Sequence, residues 1–507
     1  MFKFFRFLFF AFLISFTFLF SAQAESAPKV SLKQDTSLTD TVVKVFVTVN
    51  KMDYYRPWQS EGIMAGSGSG VIIKGNRILT NAHVVADQTF IQVKKDADSK
   101  KYTAEVVAIG NDCDLALLEV KDMGFFEGVT PLEFGELPKQ QDSVAVIGYP
   151  EGGGKISITE GVVSRIEITS YVQSARQLLT VQIDAAINSG NSGGPVVKDG
   201  KLVGIAMQVL QAGQNIGYMI PVPIIEHFFE DLDDGSYEGF PFLGIDFKNT
   251  ENTTLREYYG ITQGEGGVLV TYILPFSPAF GKVKEGDVIL AINDVPIGED
   301  GTFPFRGSER LSLVYLITKE HIGDHVSLKI MRDRQIKEMD IRLDPFVMMI
   351  PHPKYYEKPP YFVFGGLVFT VLSTDLIQSW GQRWWEKAPP DFIYYTIGAG
   401  RLNDLEQKEI VVLLSVLPDD INIGYHGIGN DIVKKVNGQD VQSFKDFVLH
   451  VNQIKNSEEY TIIETQQKER IILNNGNIDK INQKILERNS IPYQFSGDVA
   501  GWLEKGE

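Results

Sequence analysis

Cysteine is almost absent from this sequence: Cys113 stands alone among 507 residues. No disulfide can therefore close within one chain, and no cysteine-based zinc site can form. Positive charge is also short. Lys and Arg number 48 against 65 Asp and Glu, for a net charge of −17. The chain thus has no basic field for a phosphate backbone or anionic headgroups, and nucleic acid is not an expected partner. Long apolar runs are missing beyond the first two dozen residues. The nearest, YFVFGGLVFTVL at 361–372, is shorter than the roughly 18–20 residues of a membrane span and reads as a buried strand pair. Histidine is scarce too: of seven, only His83 precedes residue 226.

What is present starts with MFKFFRFLFFAFLISFTFLFSAQA, in which Lys3 and Arg6 precede an apolar stretch that ends in Ala22-Gln23-Ala24. This is the pattern of a secretory signal peptide over 1–24, with cleavage expected after Ala24; the alternative is an uncleaved anchor. The mature protein is expected to be exported, periplasmic or secreted, and to rely on packing alone for its stability. At roughly 100–200 residues per domain, the length suggests about three domains.

Residues 41 to about 225 hold many short Val/Ile-rich runs separated by Gly, Asn and Asp, among them TVVKVFVTV, GVIIKGNRILT, LALLEV and KLVGIAMQVL. Such spacing predicts an all-β barrel or sandwich. PVPIIEHFFEDL at 221–232 is the first convincing helix, and DDGSYEGFP at 233–241 reads as a linker. A second unit spans about 242–343 and a third about 361–475, with a polar arm after 476. KEGDVILAINDVPI in the second unit and IGNDIVKKVNGQDV in the third share one order of residues. Gly286-Asp287-Val288-Ile289 answers Asn430-Asp431-Ile432-Val433, and Asn293-Asp294 answers Asn437-Gly438, so one module is used twice.

The candidate chemistry lies in the first unit. His83 follows a strand in RILTNAHVVAD, Asp114 opens the apolar run of NDCDLALLEV, and Ser192 lies in the glycine-rich NSGNSGGPVV. His, Asp, Ser is the chain order of a chymotrypsin-like triad. A serine hydroxyl is a weak nucleophile until a neighbouring base takes its proton. A neutral imidazole can do so near pH 7, with a carboxylate to fix its tautomer. The glycines let successive N–H groups point at one spot, which makes an oxyanion hole from the amides of Gly190 and Ser192. Asp112 competes for the carboxylate role; Asp114 is preferred because it directly precedes a strand that would anchor it. No metal or cofactor is expected.

TNAHVV, DLALLEV and AAINSGNSGGPVV resemble the three signature blocks of the HtrA/Deg family of serine proteases. NIGYMIP at 215–221 resembles the block before the helix that leaves the family's protease domain, and KEGDVILAIND its PDZ domains. GVVSRIEITSY and YFVFGGLVFTVL look most like the plant-type Deg branch. The resemblance implies a mainly β chain: a chymotrypsin-like double β-barrel protease domain (25–235), followed by two PDZ-like α+β domains (241–346 and 354–476) and a C-terminal arm (477–507). It places the triad on His83, Asp114 and Ser192. It further implies an ATP-independent serine endopeptidase for misfolded exported proteins, with or without chaperone activity, assembled as trimers or multiples of trimers. The aromatic MDYYRPW near the N-terminus is a candidate for such contacts. The alternative from another class is a non-proteolytic chaperone or PDZ scaffold.

Two single residues add to this. Asn191 stands where digestive proteases carry Asp, and a neutral Asn cannot pair with a freed N-terminus. Ala185, Ala186 and Ile187 bring no carboxylate to the specificity pocket, so an apolar pocket walled by Ile187 and a preference for small or aliphatic P1 residues are expected. The first module would take peptide C-termini or extended segments by strand addition, with Phe242, Leu243, Gly244 and Ile245 forming its carboxylate-facing loop. The second carries an insert with three tryptophans and is expected to lack an open groove.

Overall fold

The computed structural model describes residues 36–505 apart from 97, 151–152, 208–216, 263, 346–348, 352, 354, 382 and 397–406. The signal peptide expected over 1–24 lies outside the described residues.

Twelve strands form two closed antiparallel barrels. The first contains β1 (Val42–Val49), β2 (Met64–Ile73), β3 (Arg77–Thr80), β4 (Gln88–Lys95), β5 (Tyr102–Gly110) and β6 (Leu115–Val120) in the order β1-β2-β3-β6-β5-β4. The second contains β7 (Ser143–Gly148), β8 (Ser157–Ser170), β9 (Gln177–Ile183), β10 (Pro195–Lys198), β11 (Lys201–Met207) and β12 (Gly217–Pro221) in the order β10-β11-β12-β9-β8-β7. The period of two explains β1: Val43, Val45 and Val47 point inward onto Ile72, Ile78, Val93 and Leu118. Val144, Val146, Val181, Val196 and Met219 fill the second barrel in the same way. Closure leaves neither barrel an edge strand. Between the barrels, Val71, Leu79 and Leu115 join Tyr149, Leu178, Ile205 and Ile220 in one core, which fixes one barrel against the other.

The expected helix spans Val222–Asp231 and buries Ile224, Ile225 and Phe228. The stretch read as a linker is docked rather than loose. Phe240 is buried, and the N–H groups of Glu238 and Gly239 donate to Asp231 at the helix end, at 2.8 and 2.7 Å.

The two later modules repeat one topology. In the first, the main sheet runs Ile245–Asn249, Val268–Ile273, Val288–Ile292, His325–Arg332, Gln335–Arg342. In the second it runs Tyr361–Phe364, Leu367–Val371, Val411–Val416, Asp431–Val436, Tyr460–Thr465, Arg470–Asn474, one strand more. The repeat read from the sequence extends to single hydrogen bonds. Asn293 exchanges two with Ser327, N to O and Oδ1 from N, both 2.8 Å. Asn437 does the same with Ile462, at 2.8 and 2.7 Å.

The stretch 361–372 is the expected buried hairpin, closed by Gly365 and Gly366 at φ 58 and 84. It puts Tyr361–Phe364 along the edge of Leu367–Val371. Residues 494–496 then cover Tyr361–Phe364: Val363 N donates to Gln494 O at 2.8 Å and Ser496 N to Tyr361 O at 3.1 Å. The segment expected as a polar arm is therefore part of this module. Its helices Ile478–Arg488 and Gly497–Lys505 bury Ile478 and Val499 in the module's core, because their few apolar side chains fall on one face. The aromatics of 52–58 find partners within the chain: Tyr55 packs edge-on to Trp380 of the tryptophan-rich insert at 5.0 Å, and Trp58 on Tyr361 at 5.9 Å.

Candidate active site

β3 ends at Thr80, and Asn81 opens the helical turn Ala82–Val85 that carries His83. Asp114 sits where β5 returns into β6, with φ +56, a left-handed conformation that L-residues seldom adopt. Its carbonyl is gripped from the histidine side, accepting from Ala82 N at 3.1 Å and Asn81 Nδ2 at 3.0 Å. Its carboxylate meets the histidine twice. Oδ2 lies 2.8 Å from His83 Nδ1, and Oδ1 accepts the His83 backbone N–H at 2.9 Å. The Asp114 side chain is only 2% exposed and that of His83 33%. Burial pulls the imidazole pKa down, but the Asp114 charge and hydrogen bond outweigh it, so the net shift is upward. With Nδ1 committed to Asp114, the neutral tautomer presents Nε2 as the free base.

Ser192 comes from the other barrel, in the turn before β10. The turn is pinned to β2: Ser69 N donates to Ser192 O at 2.9 Å, and Ser69 Oγ to Gly190 O at 2.7 Å. Ser69 Oγ also accepts Tyr149 N at 2.8 Å, while Ser69 O accepts Thr80 Oγ1 at 2.7 Å. A short chain of contacts thus runs from the Ser192 turn through Ser69 to Thr80, three residues from His83. A Cβ at Gly193 (φ +83) would stand 2.2 Å from Ser69 O and 2.3 Å from Thr80 Oγ1, so only glycine fits. Among the described residues no hydrogen bond joins Ser192 Oγ to His83, and the amides of Gly190 (φ +94) and Ser192 donate to no protein group. These two N–H groups are available to a ligand oxygen, and a serine–histidine bond that tightens only with substrate is a familiar resting geometry.

Ile187 packs against Gly217, where an added Cβ would meet its Cδ1 at 2.8 Å; residues 208–216 lie outside the described residues. Phe242, Leu243, Gly244 and Ile245 are in the first module and do not join the His83–Asp114 pair. Leu243 is buried, Gly244 (φ +79) packs against Ser277 with no space for a Cβ, and Ile245 starts the edge strand of the sheet. Phe242 remains 37% exposed under the Arg176 guanidinium, 5.4 Å from its ring.

Asp112, the competing carboxylate, turns away from His83 and accepts Phe240 N at 2.8 Å and the Tyr237 hydroxyl. Sequence reasoning passed over Ser69, although GSGSG at 66–70 was a visible signal. It also passed over Tyr356, which donates from Oη to Val85 O at 2.6 Å and from N to Asp87 Oδ1 at 2.9 Å, beside the histidine turn. Among the described residues no three His, Cys, Asp or Glu side chains are grouped to hold a metal.

Three family models match the chain: a trypsin-like peptidase domain over residues 68–205, and PDZ domains over 241–343 and 350–498. The chain is 39% identical over 474 residues to the chloroplastic protease Do-like 2 of Arabidopsis thaliana, covering 92% of this chain and 76% of that one. It is 37% identical over 473 residues to the mitochondrial protease Do-like 4 of the same plant, covering 93% and 87%. Among solved structures, the HtrA-type protease AlgW with tripeptide aligns at a TM-score of 0.49 and 22% identity, over 61% of this chain and 95% of its own.

Proposed function

This chain belongs to the Do-like, HtrA-type family of PDZ-containing serine proteases, and on that premise we propose that it degrades unfolded or misfolded polypeptide by acyl-enzyme chemistry at Ser192. The observation that carries the assignment is the double hold of Asp114 on His83, at 2.8 and 2.9 Å, opposite the pinned turn of Ser192. His83 Nε2 takes the Ser192 proton as Oγ attacks the scissile carbonyl. Asp114 stabilises the imidazolium without itself becoming protonated. The amides of Gly190 and Ser192 receive the oxyanion, each such donor being worth about 100-fold to 1000-fold in rate. His83 then protonates the leaving amine, and water drawn by the same base hydrolyses the ester.

Peptide capture is assigned to the first module. Its strand Ile245–Asn249 is an edge of the sheet, open to an added strand. The matching strand of the second module, Leu367–Val371, is already paired with Tyr361–Phe364. A leader-like segment at 1–24 supports a working compartment outside the cytosol, which N-terminal sequencing of the mature protein tests. Digestion of casein by the wild type and Ser192→Ala tests the function. The wild type should degrade it and the variant should not; a variant that still cleaves casein removes Ser192 from its role.

A further inference from the structure

Asp112 lies two residues from Asp114 and takes no part in holding His83, yet its surroundings are built around it. Its Oδ2 accepts Phe240 N at 2.8 Å, and its Oδ1 accepts the Tyr237 hydroxyl and its own neighbour Cys113 N, the latter at 3.0 Å. Its carbonyl accepts Ser174 Oγ at 2.8 Å. Gly239, at φ +93, brings its backbone onto the carboxylate so closely that a Cβ would stand 2.6 Å from Oδ2. On the same turn, a Cβ at Gly110 would stand 2.7 Å from Tyr237 Oη and from Cys113 Sγ. Residues 110–113 are therefore clamped on segment 237–240, which carries the chain out of the protease domain into the first PDZ module. Arg176 Nη2 holds that segment further on, donating to Pro241 O at 3.0 Å and to Phe240 O.

The turn needs such a clamp because Asp114 sits at φ +56. A left-handed non-glycine residue persists only where its neighbours over-determine it. Asn81 and Ala82 supply the hold on its carbonyl side; on its N-terminal side the anchor is Asp112.

We propose that Asp112 is a positioning residue for the catalytic carboxylate, fixing Asp114 by tying its turn to segment 237–240. This rests on the reading of His83, Asp114 and Ser192 as the triad. Around Asp112 stand Cys113, Tyr171, Arg176, His227 and Tyr237, and around Asp114 stand His83, Cys113, Tyr171 and Tyr355. Burial holds Cys113, Tyr171 and Tyr237 well above their ordinary pKa values, so they stay neutral across the acid range. Burial lowers that of His227, which keeps its titration to the acid side of His83.

The test is steady-state cleavage of a peptide substrate by the full-length protein from pH 5 to 9. Asp112→Ala is expected to lower kcat about tenfold or more with KM little changed. It should also move the acid limb of kcat/KM to lower pH, as His83 loses part of its support from Asp114. Asp112→Asn should keep clearly more activity than Asp112→Ala, since its amide oxygen can accept Phe240 N–H and its NH2 can donate to Tyr237 Oη, at the cost of the acceptor for Cys113 N–H. Tyr237→Phe, which keeps the packing, should shift the limb the same way by less, and it carries the test if Asp112→Ala fails to fold. An unchanged kcat, a fall in kcat with the acid limb in place, or an Asn variant as damaged as Ala overturns the proposal. Asp114→Asn separates the two levels. If it leaves rate and limb untouched, the triad reading falls; if it abolishes activity while the Asp112 variants behave as wild type, only the role of Asp112 falls.

Discussion

Asp114 holds His83 at two points, its ring nitrogen at 2.8 Å and its backbone N–H at 2.9 Å. One carboxylate thereby sets both where the imidazole sits and which nitrogen carries its proton. Asp114→Asn should preserve the shape of the site but disturb the tautomer, and kcat should fall by about 10⁴-fold, the loss seen when a serine-protease triad aspartate is replaced in this way. Active-site titration together with kcat on a peptide ester checks this; a loss below about tenfold would contradict the role.

The same contact fixes the direction of a pH effect. Burial lowers the His83 pKa, but the Asp114 charge and hydrogen bond together outweigh this and raise it, while general-base chemistry needs the neutral ring. Activity should therefore rise with pH along a limb centred above the ordinary histidine value of about 6.5. The linked stability runs the other way: the pair's contribution is fully present below the unfolded-state pKa and is lost as pH rises through the raised folded-state value. Kinetic and thermal-melting profiles on one buffer series should slope in opposite directions through this window.

Ser69 marks where the sequence stopped being informative. The barrels were legible because β1 and its neighbours alternate with a period of two, and the proposed triad was legible because His83 has no competitor in its unit. Within GSGSG nothing local singles out Ser69; its value comes from Gly190, 121 residues away, and Tyr149, 80 residues away. Likewise, nothing local told that residues 494–496 would cover Tyr361–Phe364, or that Asp112 would face Tyr237 and Phe240. Each depends on a long-range approach that periodicity does not encode. Ser69→Ala should leave Gly190 O and Tyr149 N without their buried partner. The expected cost is about 1–3 kcal/mol of stability, with a fall in kcat as the Ser192 turn loosens, read by thermal melting and by peptide turnover.

In the first module, Asp287 is 1% exposed and Arg332 grips it from Nε at 2.7 Å and Nη2 at 2.5 Å. Removing one member of such a pair leaves a buried charge uncompensated, so Arg332→Ala should destabilise this module by about 3–5 kcal/mol. Limited proteolysis should then open the region 241–343 first. Among the described residues the cognate Asp431 of the second module has no ion pair, and its Oδ2 has no hydrogen-bond partner.

Specificity gives a prediction that separates this site from a basic-residue protease. In the proposed pocket Ile187 packs on Gly217, and Ala185 and Ala186 bring no acid. A lysine or arginine entering such a pocket would lose its hydration with no carboxylate to meet it, whereas an aliphatic P1 side chain gains roughly 0.8 kcal/mol for each methylene it buries. Wild-type cleavage of a peptide library should favour Ala, Val, Ile or Leu at P1. Ile187→Ala should enlarge the pocket and shift the preference toward Leu, Met and Phe, and Ile187→Asp should raise cleavage after Lys and Arg relative to Val. Mass-spectrometric mapping of the products reads all three; a wild type that cuts mainly after Lys or Arg would show that a carboxylate from elsewhere reaches the pocket.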